Sequence, residues 1–283
     1  MMKLVVVYNP QSGSALTRRE LRKKCEAAKI KIEAFVEIGP RCESKLSPFI
    51  KREANIAAVG GDGTISAVAG MLVDTKAVLV PLPGGTLNHF TKDLGIAQDL
   101  DEALASLQTA KRQKIDVASV NGKYFINNSS MGIYPASLRS RDDIEHKIGK
   151  WPAAFVSSFQ AIAQLKTYRV RLNGRTFRTP FLFVGNNRYS LDGLGVTERV
   201  ALDKGLLTVF AAKTQSRFKL IKIAAFALFG SPKGLPEFDE FHTQSLTIRT
   251  KQPSLLVSYD GEVTRLEPPL NYRLHLKSLT ILA

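Results

Sequence analysis

From Lys3 to Thr109, apolar runs alternate with segments in which apolar residues recur every three or four positions. That alternation is the signature of parallel α/β structure. The runs predict strands at Lys3 to Tyr8, Lys31 to Ile38, Asn55 to Val59 and Ala77 to Pro81. The periodic segments predict helices at Thr17 to Ala28, Ser44 to Arg52, Ile65 to Val73 and Asp99 to Thr109. After Asp116 the pattern changes to short β-rich segments: Lys123 to Asn128, Tyr168 to Leu172, Thr176 to Gly185, Leu206 to Ala212, Ser245 to Thr250, Ser254 to Tyr259 and Tyr272 to Lys277. Asn173-Gly174 and Asp260-Gly261 are two-residue hairpin signals. Asp142 to Leu165 and Arg217 to Phe229 carry a helical pattern instead. The expectation is an α/β domain over residues 1–116, then a mainly antiparallel β domain over residues 117–283, with the last strand free to return to the first domain.

Composition narrows the class. Of the 283 residues 44% are hydrophobic and 23% charged, the balance of a globular protein. Lys and Arg number 40 against 25 Asp and Glu, a formal charge of +15, which favours an anionic partner such as a phosphate cofactor, an acidic membrane or nucleic acid. The two cysteines, Cys25 and Cys42, and four scattered histidines give neither a zinc pattern nor a disulfide scaffold. Met1 to Tyr8 reads as a buried first strand rather than a signal peptide. No apolar run approaches the ~20 residues that span a bilayer. A reducing cytoplasmic location is expected.

Three loops follow predicted strands, where open α/β sheets bind ligands. They are Asn9-Pro10-Gln11-Ser12-Gly13, Gly60-Gly61-Asp62-Gly63-Thr64, and Pro83 to Phe90 with its Gly84-Gly85-Thr86. Glycines let backbone approach a ligand closely, and the start of the following helix offers unpaired N–H groups that suit phosphate. Each loop alone is an ordinary turn composition. In succession they suggest one nucleotide-binding crevice.

The set Asn9-Pro10-x-Ser12-Gly13, Gly60-Gly61-Asp62-Gly63-Thr64 and Gly85-Thr86-x-Asn88-x-Phe90 resembles the diacylglycerol-kinase catalytic-domain family, which includes bacterial lipid kinases and sphingosine kinases. Asp116, Phe125 to Gly132 and Asp260-Gly261-Glu262 extend the resemblance toward the C-terminus. It implies an N-terminal α/β nucleotide-binding domain like that of NAD kinases, then a β-sandwich-like domain, with ATP as phosphate donor. By motif, Gly60, Gly61, Asp62, Gly63, Thr64, Ile65, Ser66, Gly85 and Thr86 would meet ATP. Asn9, Ser12 and Gly13 would line the same pocket, and Asn88 would shape the third loop or touch phosphate.

Phosphoryl transfer needs charge neutralisation, in-line positioning and a carboxylate to take the hydroxyl proton. Glu262 and Asp62 are the acidic residues beside glycines. The resemblance implies Glu262 as proton acceptor, with Asp62 organising Mg²⁺ and the γ-phosphate. The local pattern alone favours a solvated residue opening a strand after a turn; the upstream loops reverse that weighting. Lys92, Arg18 and Arg19 are candidate counter-charges. The family often carries an acidic-Gly pair linked to a structural Mg²⁺. Here Ala201-Leu202-Asp203-Lys204-Gly205-Leu206 puts a lysine beside the glycine and a threonine, Thr208, where a second acid is expected. Asp203 is the candidate metal ligand left in that stretch.

Lys219 to Phe229, apolar with Arg217, Lys222 and Lys233 nearby, suits a helix at an anionic membrane surface as well as one packed on the β domain. Phe155, Val156, Phe159 and Ile162 are a candidate acyl-chain entrance. The leading expectation is an ATP- and Mg²⁺-dependent lipid kinase acting peripherally at a membrane, with a homodimer admitted and no nucleic acid expected. The rivals are a soluble-substrate kinase of the same superfamily and a non-catalytic nucleotide or lipid sensor.

Overall fold

The computed structural model describes residues 1–10, 16–132, 167–172, 175–190, 198–199, 201–214, 216, 218–220, 222–223, 235–250 and 252–283. The chain divides into two compact units, Met1–Val117 with His275–Ala283, and Ala118–Leu274.

In the first unit strands and helices alternate: β1 (Lys3–Tyr8), α1 (Arg18–Ala27), β2 (Lys31–Glu37), α2 (Cys42–Lys51), β3 (Asn55–Gly60), α3 (Asp62–Leu72), β4 (Val78–Pro83), α4 (His89–Asp93) and α5 (Leu100–Ser106). The strands pair in parallel in the order β2-β1-β3-β4. β4 is buried along its whole length and β1 at every position after Lys3, as a sheet covered on both faces requires. The helices start where local chemistry directs. Thr17 caps α1 through a capping box with Glu20, and Asp99 caps α5 by accepting from the Asp101 and Glu102 amides. Cys25 and Cys42 are buried and unbridged.

β5 (Arg112–Val120) leads into the second unit, which holds β6 (Lys123–Phe125), β7 (Asn128–Gly132), β8 (Tyr168–Leu172), β9 (Arg175–Thr179), β10 (Phe181–Asn186), β11 (Tyr189–Ser190), β12 (Glu198–Arg199), β13 (Leu207–Ala212), β14 (Phe238–Thr243), β15 (Ser245–Arg249), β16 (Leu255–Tyr259) and β17 (Glu262–Leu266). β18 (Leu270–Leu282) returns the chain to the first unit, where Thr280 and Ile281 pair in parallel with β4. One antiparallel sheet runs β14-β13-β10-β7-β16-β17. In the other, β15 lies between β8 and the Leu270–Arg273 end of β18, and β8 pairs β9. A single core joins them, with Val184, Val209 and Val257 from the first sheet and Val170, Ile248 and Tyr272 from the second. The mainly antiparallel sandwich expected for this half is what forms.

Several elements differ from the sequence reading. The segment Thr176 to Gly185 is two strands in two different sheets, broken at Pro180, a residue with no N–H to give to a ladder. Lys123 to Asn128 likewise splits between β6 and β7. The hairpin Asn121-Gly122, with φ of 47° and 79°, went unread although it bears the same signature as Asp260-Gly261. Asn173-Gly174 and the segment Asp142 to Leu165 lie outside the described residues.

Candidate functional site

The parallel register sets the first half of the site. Tyr8 stands opposite Val59, and Gly60 opposite Pro83. Asn9, Gly61 and Gly84 therefore leave the sheet at the same end, beyond the C-termini of the strands. Ser12 and Gly13 fall outside the described residues. Asn9 is half-buried.

The second and third loops touch backbone to backbone. A Cβ on Gly85 would lie 2.4 Å from the Gly61 Cα, and one on Gly84 would lie 2.9 Å from the Gly60 nitrogen. No other residue type permits that approach. Gly60 in turn packs under Thr64, whose Oγ1 would be 2.7 Å from an added Cβ. Gly63 faces open space.

The helix after the glycine run begins earlier than its apolar pattern suggested. α3 starts at Asp62 instead of Ile65, because Gly61 takes the N-cap position with extended backbone. Gly61 offers no side-chain cap; the Thr64 and Ile65 amides donate to the Gly61 carbonyl at 3.0 and 3.1 Å, and an uncapped helix start of this kind suits an anion. Thr64, Ile65 and Ser66 lie on the buried side.

Asp62 is held. Its Oδ1 accepts the Phe90 amide at 2.9 Å and its Oδ2 accepts the His89 amide at 3.1 Å. The carboxylate therefore ties the second loop to the first turn of α4, a short helix inside what looked like loop. Asn88, just before α4, has φ 50°, and its Oδ1 accepts the Gly85 amide at 2.9 Å. It shapes the third loop, leaving Thr86 and Leu87 exposed at the tip.

Of the candidate counter-charges, Arg18 donates to the Tyr8 hydroxyl at 2.5 Å and to Glu37 at 2.6 Å. The Tyr8 hydrogen bond, and then Glu37, hold its guanidinium above the usual arginine value. Arg19 and Lys92 are exposed. Asp116 is buried, and its Oδ1 accepts the amide of Lys277 at 2.8 Å, where the last strand kinks through φ 48°.

In the second unit the Asp260-Gly261 turn, φ 44° and 89°, joins β16 to β17 and sets Glu262 opposite Tyr259. Glu262 is exposed at the first position of β17. The Tyr259 phenol is raised above its ordinary value by burial first, then by the charge of Glu262 and a hydrogen bond to it. Sequence reasoning did not name Tyr259, although a two-residue turn at 260–261 places it across from Glu262 by counting. The Asp260 carboxylate accepts the amides of Ile126, Asn127 and Asn128 at 2.7, 2.8 and 3.0 Å. No local signal announces a bond to residues so distant in the chain.

Asp203 makes a poor start for a structural cation. It is exposed, with Lys204 Nζ 3.8 Å away. The loop around it is closed by Asn187, which donates to the Leu202 carbonyl at 2.9 Å and accepts the Lys204 amide at 2.7 Å. Thr208 is buried and donates to the Asn187 carbonyl. Among the described residues no three His, Cys, Asp or Glu side chains cluster to hold a metal.

Of the segment expected at a membrane, Leu220 and Ile223 pack with Ala212 on the β domain, and Lys219 pairs with Glu237 at 2.8 Å. Phe218 is 87% exposed. The residues from Ala224 to Phe229 and the acyl-entrance candidates lie outside the described residues. No helix among the described residues is long and apolar enough to cross a membrane.

Residues 3–120 match the family model described as the diacylglycerol kinase catalytic domain. Diacylglycerol kinases from Staphylococcus aureus, strains JH9 and Newman, are each 25% identical over 269 residues, covering 91% of this chain and 85% of theirs. A solved diacylglycerol kinase structure from Bacillus anthracis str. Sterne superposes with a TM-score of 0.69 at 20% identity, covering 99% of this chain and 96% of that one. A second solved structure from the same organism reaches a TM-score of 0.74 at 23% identity with the same coverage. At those identities the two structures speak to the fold.

Proposed function

We propose that the chain is a lipid kinase of the diacylglycerol kinase catalytic-domain type, whose family model matches residues 3–120, and that it transfers the γ-phosphate of ATP to a hydroxyl of a diacylglycerol-like lipid at an anionic membrane surface. The observation that carries this reading is the contact of the two glycine loops, Gly60-Gly61 against Gly84-Gly85, at the C-terminal end of a parallel sheet. Such a contact exposes backbone amides and the uncapped start of α3 to a polyphosphate. Thr86, exposed at the tip of the third loop, adds a hydroxyl there.

In the transfer, the lipid hydroxyl oxygen bonds to the γ-phosphorus as the bond to the bridging oxygen of ADP breaks. Glu262 accepts the hydroxyl proton. General-base help of this kind is worth about 10²–10⁴-fold; positioning and fixed dipoles supply much of the rest. Bound Mg²⁺ would neutralise phosphate charge. With no three-residue acidic cluster among the described residues, its ligands would be mostly phosphate oxygens and water, the usual Mg²⁺ arrangement. The net charge of +15 and the exposed Phe218 beside Lys219 support docking on anionic lipid.

The test is purified protein with radiolabelled ATP, Mg²⁺ and vesicles carrying, in turn, diacylglycerol, phosphatidylglycerol or a sphingoid base, with NAD as soluble competitor. Label should appear in diacylglycerol, and Glu262→Gln should lower kcat by about 10²–10⁴-fold with little change in KM for ATP. Folded protein that labels no lipid would overturn the proposal. Transfer to NAD alone would point to a soluble-substrate kinase, and ATP binding without turnover to a sensor.

A further inference from the structure

We propose that Asp260 and Tyr259 are positioning residues for phosphoryl transfer: together they fix the hairpin that carries Glu262 and aim its carboxylate. This rests on the reading of Glu262 as proton acceptor.

Asp260 does more than a turn residue needs to do. A two-residue hairpin of this type asks only for residues that tolerate positive φ, and Asp-Gly supplies that without further bonds. Here the Asp260 side chain accepts three consecutive amides from Ile126, Asn127 and Asn128, and its own amide donates to the Asn128 carbonyl at 2.8 Å. One residue thus makes four hydrogen bonds to one tripeptide, three of them to a charged acceptor.

The tripeptide is itself immobilised. The Ile126 carbonyl accepts Asn186 Nδ2 at 3.0 Å and also Arg199. The Asn127 carbonyl accepts the Tyr189 hydroxyl at 2.9 Å, and Asn127 Oδ1 accepts Arg199 at 3.0 Å. Asn127, Asn186 and Tyr189 are all buried. The turn is anchored to this hydrogen-bonded bend at the position two residues before Glu262.

Tyr259 acts from the other side of the turn. It pairs with Glu262 in register, so the two side chains share one face of the hairpin. Its half-buried phenol hydrogen-bonds to the Glu262 carboxylate. A phenol paired with Glu262 across the hairpin restricts the directions its carboxylate can take. A carboxylate on an exposed hairpin end would otherwise sample several rotamers, and misplacement by about 1 Å can cost ~10²-fold in rate.

The experiment is a double-mutant cycle on the full-length protein, assayed with ATP and vesicles of phosphatidylglycerol containing dioleoylglycerol. Asp260→Asn should lower kcat by ~10–100-fold and leave KM for ATP within about twofold. In the Glu262→Gln background the same change should have almost no further effect, because a misaimed base cannot hurt an enzyme that has none. Tyr259→Phe, which removes one hydroxyl, should show the same coupling with a smaller loss, and it serves if Asp260→Asn does not fold by circular dichroism. Equal fold-losses in both backgrounds for both variants would mean that the two residues only stabilise the unit. Wild-type kcat in both single variants would also overturn the proposal. Full activity in Glu262→Gln alone would instead sink the general-base reading, and the positioning role with it.

Discussion

Two aspartates, Asp62 and Asp260, solve the same problem in the two units with different means. Each follows or precedes glycine, and each spends its carboxylate on backbone amides of another segment. Asp62 binds two amides of a segment 27 and 28 residues on. Asp260 binds three amides from 132 to 134 residues back. In the first unit the clasp works alongside glycines that make the contact possible, and what it positions is glycine backbone. In the second unit the clasp works alongside a buried polar network, and what it positions is one side chain. The lesson is that an acid beside a glycine is not by that fact a catalytic acid. Its partners decide, and neither Asp62 nor Asp260 has a carboxylate free of backbone amides.

This contrast breaks if the two glycine systems respond alike. The largest effect should come from Gly132→Ala in the second unit. An added Cβ there would meet the Pro180 carbonyl oxygen at 1.9 Å, at a residue with φ 96°. Overpacking of about 1–3 kcal/mol and left-handed strain of roughly 1–2 kcal/mol act together, so Tm should fall by roughly 10 °C with KM for ATP unchanged in the protein that remains folded. Gly85→Ala should behave in the opposite way. Its clash with Gly61 lies in the loops, so thermal melting should shift by only a few degrees while KM for ATP rises about tenfold or more. Gly63→Ala, whose added Cβ meets no protein atom, should leave Tm unchanged, so a rise in its KM for ATP would report contact with the nucleotide alone. Normal ATP binding by Gly85→Ala would remove the loops from the nucleotide site.

Next in size is Asp62→Ala. It strands two amides that each gain about 1.5–3 kcal/mol from a charged acceptor, and part of that loss is recovered by water at a half-buried site. The prediction is a rise in KM for ATP larger than the fall in kcat, the reverse of the split expected for Asp260→Asn. Steady-state kinetics on both variants reads this directly. A pure kcat effect at Asp62 would return it to the role of organising the reacting phosphate.

The smallest effect belongs to an exposed clasp, Tyr8–Glu37–Arg18. The Tyr8 hydroxyl first, and Arg18 second, hold the Glu37 carboxyl below its ordinary value of 4.5. An acid with a lowered value contributes stability that is complete above 4.5 and fades as pH falls through the lowered value. Glu37→Gln and wild type should therefore differ slightly in Tm at neutral pH and converge at pH ~3. Salt should shrink the difference, since the Arg18 and Glu37 charges face solvent. A difference that grew on acidification would reverse the assignment.

Much of this molecule was readable from one dimension. The parallel strands of the first unit are continuous apolar runs, the helices carry their caps at Thr17 and Asp99, and the Asp-Gly turn forms where it was read. The break at Pro180 was less legible, since an apolar run looks the same whether it makes one strand or two in different sheets. The start of α3 was misplaced for a related reason. Its first turn holds Asp62, Gly63 and Thr64, and periodicity begins to speak only where apolar residues do. The membrane segment divides likewise: its pattern suited lipid or core, and Leu220 and Ile223 sit against the β domain.

Short-range chemistry is written in residue order, because helix caps, turn geometry and apolar period act over a few positions. The chain by itself therefore determined the α/β half, the antiparallel half and the glycine-rich loops. Which atoms those loops meet was decided only by folding. The contact of Gly61 with Gly85, the two amides on Asp62 and the three on Asp260 all join residues that no local preference relates. They exist because parallel strands end side by side and because the bend at residues 126–128 turns its amides toward the Asp260 carboxylate.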